Sequence, residues 1–305
     1  MSSLLDPEFL RRLARVRLLV RRRFAGSAGG ARRSTRKGQS VEMADHRPYA
    51  PGDDIRRIDW NAYARLEELI LRLYVAEEDL IVYLLVDTSA SMGFGDPTKL
   101  DVAKRLAAAL AYVGLSGSER VGVVPFGAGL GMPMQPTRGR RRIGSVLRHL
   151  DGLEPRGETD LARAVDELVA RRTRPGLVIV LSDLLDPGGY QRPLDRLLAE
   201  RHEPVLFHVL DREELDPTPG GDFNFVDSER GARVEVSLDA RTVEAYRRRV
   251  GLFLEGVEGY AKKRGLSYVR AGADVSIEDA LLAYSRAREH ARRRSHDALA
   301  SCVTR

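Results

Sequence analysis

Three short stretches carry side chains that can do chemistry together. Asp87, Ser89 and Ser91 lie on alternate residues directly after an apolar run, 80–86. Ser182 and Asp183 follow a second apolar run at 176–181 in the same way, and Glu158, Thr159 and Asp160 stand at the start of a helical pattern. Carboxylates and hydroxyls are hard oxygen donors, which suit an octahedral Mg2+ or Mn2+ and serve a soft metal poorly. Taken alone each set is weak, because Asp, Ser and Thr in such places also close turns and cap helices. Their weight comes from the elements that must hold them.

Seven apolar residues without interruption, 80–86, fit a strand buried on both faces of a parallel sheet. The stretch 97–115 has Leu100, Ala103, Leu106, Ala107, Leu110 and Val113 at helical spacing, so strand, polar loop and helix make a βα unit. The same reading predicts strands over 120–126, 176–182, 204–210 and 266–270, with an edge segment at 130–135. It predicts helices over 143–150, 160–171, 190–201, 240–264 and 277–294, and a small hairpin from 223–226 and 233–236. Strands alternating with helices imply an α/β fold with a doubly wound, mostly parallel sheet flanked by helices. In such a sheet the loops after neighbouring strands open on one edge, where ligands bind, so the three oxygen-bearing stretches can meet there.

Composition narrows the function. With 43% hydrophobic and 31% charged residues over 305 positions, the chain is long and apolar enough to bury a substantial core. Its single cysteine, Cys302, excludes an intramolecular disulfide and a cysteine-based metal site. A zinc hydrolase is not indicated, since H-E-x-x-H is missing and His46, His149, His202, His208, His290 and His296 are scattered. His208 lies inside an apolar strand and reads as a satisfied buried histidine. An aspartyl-phosphate phosphatase would want a second acid two residues after Asp87, where Ser89 stands. With no P-loop either, the expectation is a protein that is not an enzyme.

The first 40 residues are basic and part of a net charge of +6. Residues 7–24 form an amphipathic pattern with Phe9, Leu13, Val16, Val20 and Phe24 on one stripe, and 27–37 reads as a flexible link. The arm suits packing on the body or on a partner, contact with an anionic membrane through 7–24, or nucleic acid. The lack of an interleaved aromatic ladder argues against the last. No apolar run approaches the roughly 20 residues of a membrane span, and the start lacks a signal peptide's apolar core. A cytoplasmic protein, peripheral to the inner membrane if the arm binds lipid, is therefore expected. The turn-rich stretch 41–65 reads as a loop plus a short helix with Trp60 as a packing anchor, or else as a partner-facing surface. Residues 69–75 read as a strand leading into the central one. The expected division is an arm and linker at 1–40, a segment at 41–79 packing on the core, the main domain at 80–294 and a frayed tail at 295–305.

The pattern D-x-S-x-S, with a Thr on a second loop and an Asp on a third, resembles the von Willebrand factor A fold and its metal-ion-dependent adhesion site. The resemblance implies that Asp87, Ser89, Ser91, Thr159 and Asp183 hold Mg2+ or Mn2+ and that an Asp or Glu of a partner completes the metal's shell. A narrower likeness rests on four runs: Tyr49-Ala-Pro-Gly-Asp-Asp-Ile-Arg-Arg-Ile-Asp-Trp-Asn-Ala-Tyr-Ala-Arg65, Leu85-Val-Asp-Thr-Ser-Ala-Ser-Met92, Gly157-Glu-Thr-Asp-Leu161 and Leu181-Ser-Asp-Leu184. Together they are similar to the bacterial domain of unknown function 58 family, over roughly residues 35–210. That resemblance implies work beside a MoxR-type AAA+ ATPase, as an adaptor or co-chaperone in assembling or remodelling a client protein. Two other functions stay open on the sequence: a basic protein binding nucleic acid or a membrane surface, and a metal-dependent hydrolase.

Overall fold

The computed structural model describes residues 4, 8, 11, 43–50, 53–74, 80–117, 119–218 and 220–288. The amphipathic stretch expected at 7–24, the link at 27–37 and the tail at 295–305 lie outside the described residues, apart from residues 8 and 11. Two compact units divide the chain: Arg22–Asp79, and Met1–Arg21 together with Leu80–Arg305.

In the first unit β1 (Met43–Pro48) pairs antiparallel with β2 (Ile70–Tyr74), and α1 (Trp60–Leu66) lies between them in sequence. Asp59 starts the helix by accepting hydrogen bonds from the Asn61 and Ala62 amides, which satisfies donors that a helix leaves open at its first turn. Two expectations are corrected here. Residues 41–65 are not only loop and helix, because Met43–Pro48 is extended; its polar sequence has no apolar alternation, and its order comes from the ladder that β2 offers. The strand expected at 69–75 forms as β2 and pairs with β1. Trp60 is 59% exposed and meets Tyr63 edge-on at 6.1 Å, so it is not a packing anchor within a helix that buries none of its residues.

The second unit is the α/β body. Its elements in order are β3 (Ile81–Asp87), α2 (Lys99–Ser116), β4 (Arg120–Phe126), β5 (Met134–Arg138), α3 (Ile143–Asp151), α4 (Leu161–Ala170), β6 (Leu177–Ser182), α5 (Gln191–Ala199), β7 (Glu203–Leu210), α6 (Arg212–Leu215), β8 (Asp222–Val226), β9 (Arg233–Ser237), α7 (Ala240–Arg264), β10 (Ser267–Gly272) and α8 (277–288). Six strands form one sheet in the order β10-β7-β6-β3-β4-β5, parallel except for β5. The strand expected at 130–135 begins four residues later and is bulged against β4, with Pro136 inside the bulge. Strands β8 and β9 pair with each other apart from that sheet.

All seven residues of β3 are buried, as its unbroken apolar run requires. On one face Tyr83, Leu85, Val124, Val178, Val180 and Leu206 pack against α4, α5 and α7. Alternation turns Leu84, Val86, Ile179 and Phe207 to the other face, where α2 lies against β3 and the Phe207 ring meets Tyr284 of α8 at 5.7 Å. A fully buried Leu or Val is worth about 1.5–3 kcal/mol, so the central strands are the firmest part of the molecule. Whatever stands at their carboxyl ends is held by them.

Candidate functional site: an oxygen-rich strand edge

Register sets the site. Strands β3 and β6 are parallel neighbours with Val86 beside Leu181, so Asp87 and Ser182 leave the sheet together. The Ser182 hydroxyl donates to Asp87 Oδ2 at 2.6 Å and accepts from the Leu184 amide at 2.9 Å. Leu184 has φ +58°, a left-handed conformation that costs a branched side chain about 1–2 kcal/mol. That turn, clamped by Ser182, directs Asp183 back over the strand edge.

Asp87 Oδ1 accepts from the Ser89 amide at 2.9 Å, and Asp183 Oδ1 accepts from the Leu185 amide at 3.1 Å. Each acid thus spends Oδ1 on a local turn; Oδ2 of Asp87 is taken by Ser182, and Oδ2 of Asp183 faces the serines. Asp183 Oδ2 accepts from Ser91 Oγ at 2.9 Å, and Ser91 Oγ lies 3.0 Å from Ser89 Oγ. A hydroxyl has one proton; Ser91 gives its own to Asp183, so Ser89 is the donor to Ser91. Both hydroxyls retain lone pairs. Of the five residues expected from the sequence, Asp87, Ser89, Ser91 and Asp183 are therefore one hydrogen-bonded group.

Thr159 reaches the same edge by another route. Its loop is stitched to the Asp87 loop by Arg156 N–H to Thr88 O at 2.8 Å and Ala90 N–H to Gly157 O at 2.9 Å. The side chain is buried, yet its hydroxyl is turned to Glu229 Oε1 at 3.0 Å, and its amide donates to Glu229 Oε2 at 3.1 Å.

Four residues outside the expected set act on the edge: Ser182, Lys99, Glu214 and Glu229. Lys99, in the first turn of α2, is 1% exposed and gives its ammonium to Asp183 Oδ2 at 2.7 Å and Glu214 Oε1 at 2.5 Å. Burial pulls the ammonium's pKa down, but the two carboxylates outweigh it and hold the group above the usual lysine value. Burial, and then the nearby Asp183 charge, push Asp87 up to about 7 against the pull of Ser182 and Ser89. His208 is buried, as the sequence suggests. Its Nε2 faces the Asp183 carbonyl at 2.8 Å and its Nδ1 faces Tyr268 OH at 2.9 Å. A carbonyl only accepts, so Nε2 carries the proton and Nδ1 accepts from the tyrosine. Loss of hydration lowers the His208 pKa to about 4, which keeps the ring neutral.

Among the described residues no three His, Cys, Asp or Glu side chains gather in a metal-holding cluster; this edge is built mainly of hydroxyls. Its donors are of the type a small hard cation takes, and their spacing, which is also that of the hydrogen bonds joining them, is compatible with one. Six oxygens at 2.0–2.1 Å from Mg2+ lie about 2.9 Å from their neighbours on the octahedron. The distances from Ser91 Oγ to Asp183 Oδ2 and to Ser89 Oγ are 2.9 and 3.0 Å. Two groups stand against easy entry, the Lys99 ammonium on Asp183 and the Glu229 carboxylate on Thr159.

Among the described residues no helix is long and apolar enough to cross a membrane. The sheet order and helical flanks make the α/β fold with a doubly wound, mostly parallel sheet that the sequence implies. Two solved structures are similar to the chain at a distance. BatB from Bacteroides thetaiotaomicron is 19% identical with a TM-score of 0.45, covering 70% of this chain and 99% of that one. An aerotolerance-related membrane protein from Bacteroides fragilis is 18% identical with a TM-score of 0.44 at the same coverage. The uncharacterized protein Rv1480 of Mycobacterium tuberculosis is 33% identical over 264 residues, 82% of this chain and 83% of that protein. Residues 45–251 match the model of a family described as protein of unknown function DUF58. That match contains the whole oxygen-rich edge and, with the mycobacterial relative, makes this chain a member of the DUF58 family.

Proposed function

We propose that the chain is a docking module that receives an Asp or Glu side chain of a partner protein at a divalent cation, Mg2+ or Mn2+, on this strand edge. One observation carries the reading: Asp87, Ser89, Ser91 and Asp183, hard oxygen donors from two separate loops, are gathered into one hydrogen-bonded group at the strand edge, with the Thr159 loop stitched beside them. Ser89, Ser91 and Thr159 would hold the ion through neutral oxygens, with Asp87 and Asp183 as direct ligands or as acceptors for bound waters. A cation with few anionic ligands stays electrophilic, and that is the chemistry it would supply. The chain's own residues orient the donors, and Lys99 offsets part of the negative charge around them. The reading is one of binding, not of hydrolysis.

The biological setting follows from the family resemblance. The module works beside a MoxR-type AAA+ ATPase, which supplies the ATP hydrolysis, in assembling or remodelling a client protein. The test is co-purification of the ATPase and client from the native host with and without chelator, using the wild type, Asp87→Ala and the gentler Asp87→Asn. Capture lost in chelator and in both variants supports the proposal. Capture that survives in a folded Asp87→Ala protein removes it, and a DNA shift that is salt-sensitive but indifferent to EDTA would favour a basic nucleic-acid binder instead.

A further inference from the structure

We propose that Glu229 is a resident acid that occupies the Thr159 side of the site and must be expelled before a partner's carboxylate can bind there. This rests on the docking function proposed above and adds how the site is regulated. Glu229 lies on the turn between β8 and β9, 70 residues from Thr159, and engages it with both oxygens, one on the hydroxyl and one on the amide. The same carboxylate chemistry is expected of the partner. A second acid arriving at Thr159 would meet the Glu229 charge, and like charges at that range exclude each other.

The turn is built to present this residue. Asp227 Oδ1 accepts from the Glu229 and Arg230 amides at 2.8 and 3.1 Å, and Gly231, with φ +69°, closes the turn through its amide on the Asp227 carbonyl at 2.8 Å. The strands behind it are held weakly. Every residue of β8 is exposed, and in β9 only Val236 is half-buried. Phe223 and Phe225 of β8, with Val234 of β9, are 45%, 49% and 58% exposed on one face of the hairpin. A two-stranded hairpin is marginal by itself, so withdrawing the tip disturbs little of the core. Glu229 is thus a ligand on a light lever, and the firm strands β3 and β6 keep the rest of the site in place when it moves.

The test uses the full chain with Mn2+ alone and then with acetate as the carboxylate probe, read by the water-proton relaxation of bound Mn2+. Wild type, Glu229→Gln and Glu235→Gln are compared; Glu235 lies on exposed β9 and controls for the loss of charge. A resident acid in place about nine-tenths of the time raises the half-saturating acetate concentration about tenfold. The expected result is Mn2+ binding by all three proteins, with Glu229→Gln taking acetate at about a tenth of the concentration that wild type and Glu235→Gln need. Coincident acetate curves in proteins that all bind Mn2+ would overturn the role of Glu229 and leave the metal reading standing. Failure of all three to bind Mn2+ would overturn both.

Discussion

Lys99 is a lone ammonium between two acids where water is nearly absent, and removing it leaves Asp183 and Glu214 facing each other unpaired. Breaking a buried pair from one side costs about 3–5 kcal/mol. Lys99→Met should lower stability by that order in urea unfolding under chelator, and Mg2+ should restore more of it than in wild type, because a dication can then neutralise Asp183 unopposed. Two titrations in the site run against each other. The folded pKa of Asp87 lies above its unfolded value, so the stability it contributes is present below about pH 4 and is lost as the pH rises to about 7. The folded pKa of His208 lies below its unfolded value, so its contribution is present above about pH 6.5 and is lost as the pH falls towards 4. Relative to wild type in EDTA, Asp87→Asn should gain stability as the pH rises from 4 to 7, and His208→Gln should lose it. Unfolding at four pH values checks both signs; matching slopes in all three proteins would refute the assignment.

At the scale of elements, the join between β6 and β3 governs whether the loops stay in register. A Cβ on Gly176 would lie 2.3 Å from the Ile81 carbonyl oxygen, and forcing atoms into a filled core costs about 1–3 kcal/mol. Gly176→Ala should therefore lower the urea midpoint by that order, with a fall in Mn2+ affinity if the strand shifts. Apart from β5, expected four residues too early, and α6, which was not expected, the strands and helices of the body were legible because they are bounded apolar runs, alternating pairs or 3.6-residue patterns, and parallel neighbours bring Asp87 and Asp183 to one edge whatever their separation in sequence. Other features left no such trace. Met43–Pro48 is polar and takes its order from a partner strand. Lys99 looks like an ordinary polar residue in a helix's first turn, although the body encloses it. Glu214 sits on a four-residue helix too short to show periodicity. Thr159 was readable as a member of the edge, but its capture by Glu229 depends on where a hairpin tip comes to rest, which local pattern does not encode.

For the molecule as a whole, a ligand that binds only the folded chain stabilises it by mass action, about 2.7 kcal/mol at a hundred times its dissociation constant. Saturating Mg2+ should raise the thermal midpoint of wild type and leave that of Asp87→Ala unmoved, whereas a midpoint indifferent to Mg2+ in wild type would count against a cation at this edge. The net charge of +6 gives any nucleic-acid contact a steep dependence on salt and none on chelator, so the two kinds of binding separate in one pair of titrations. The outermost strand β5 has a consequence of its own. With a bulge at Pro136 and Arg138 at its end, that margin is irregular and carries a charge besides. Accretion of foreign strands into fibrils is discouraged along that side.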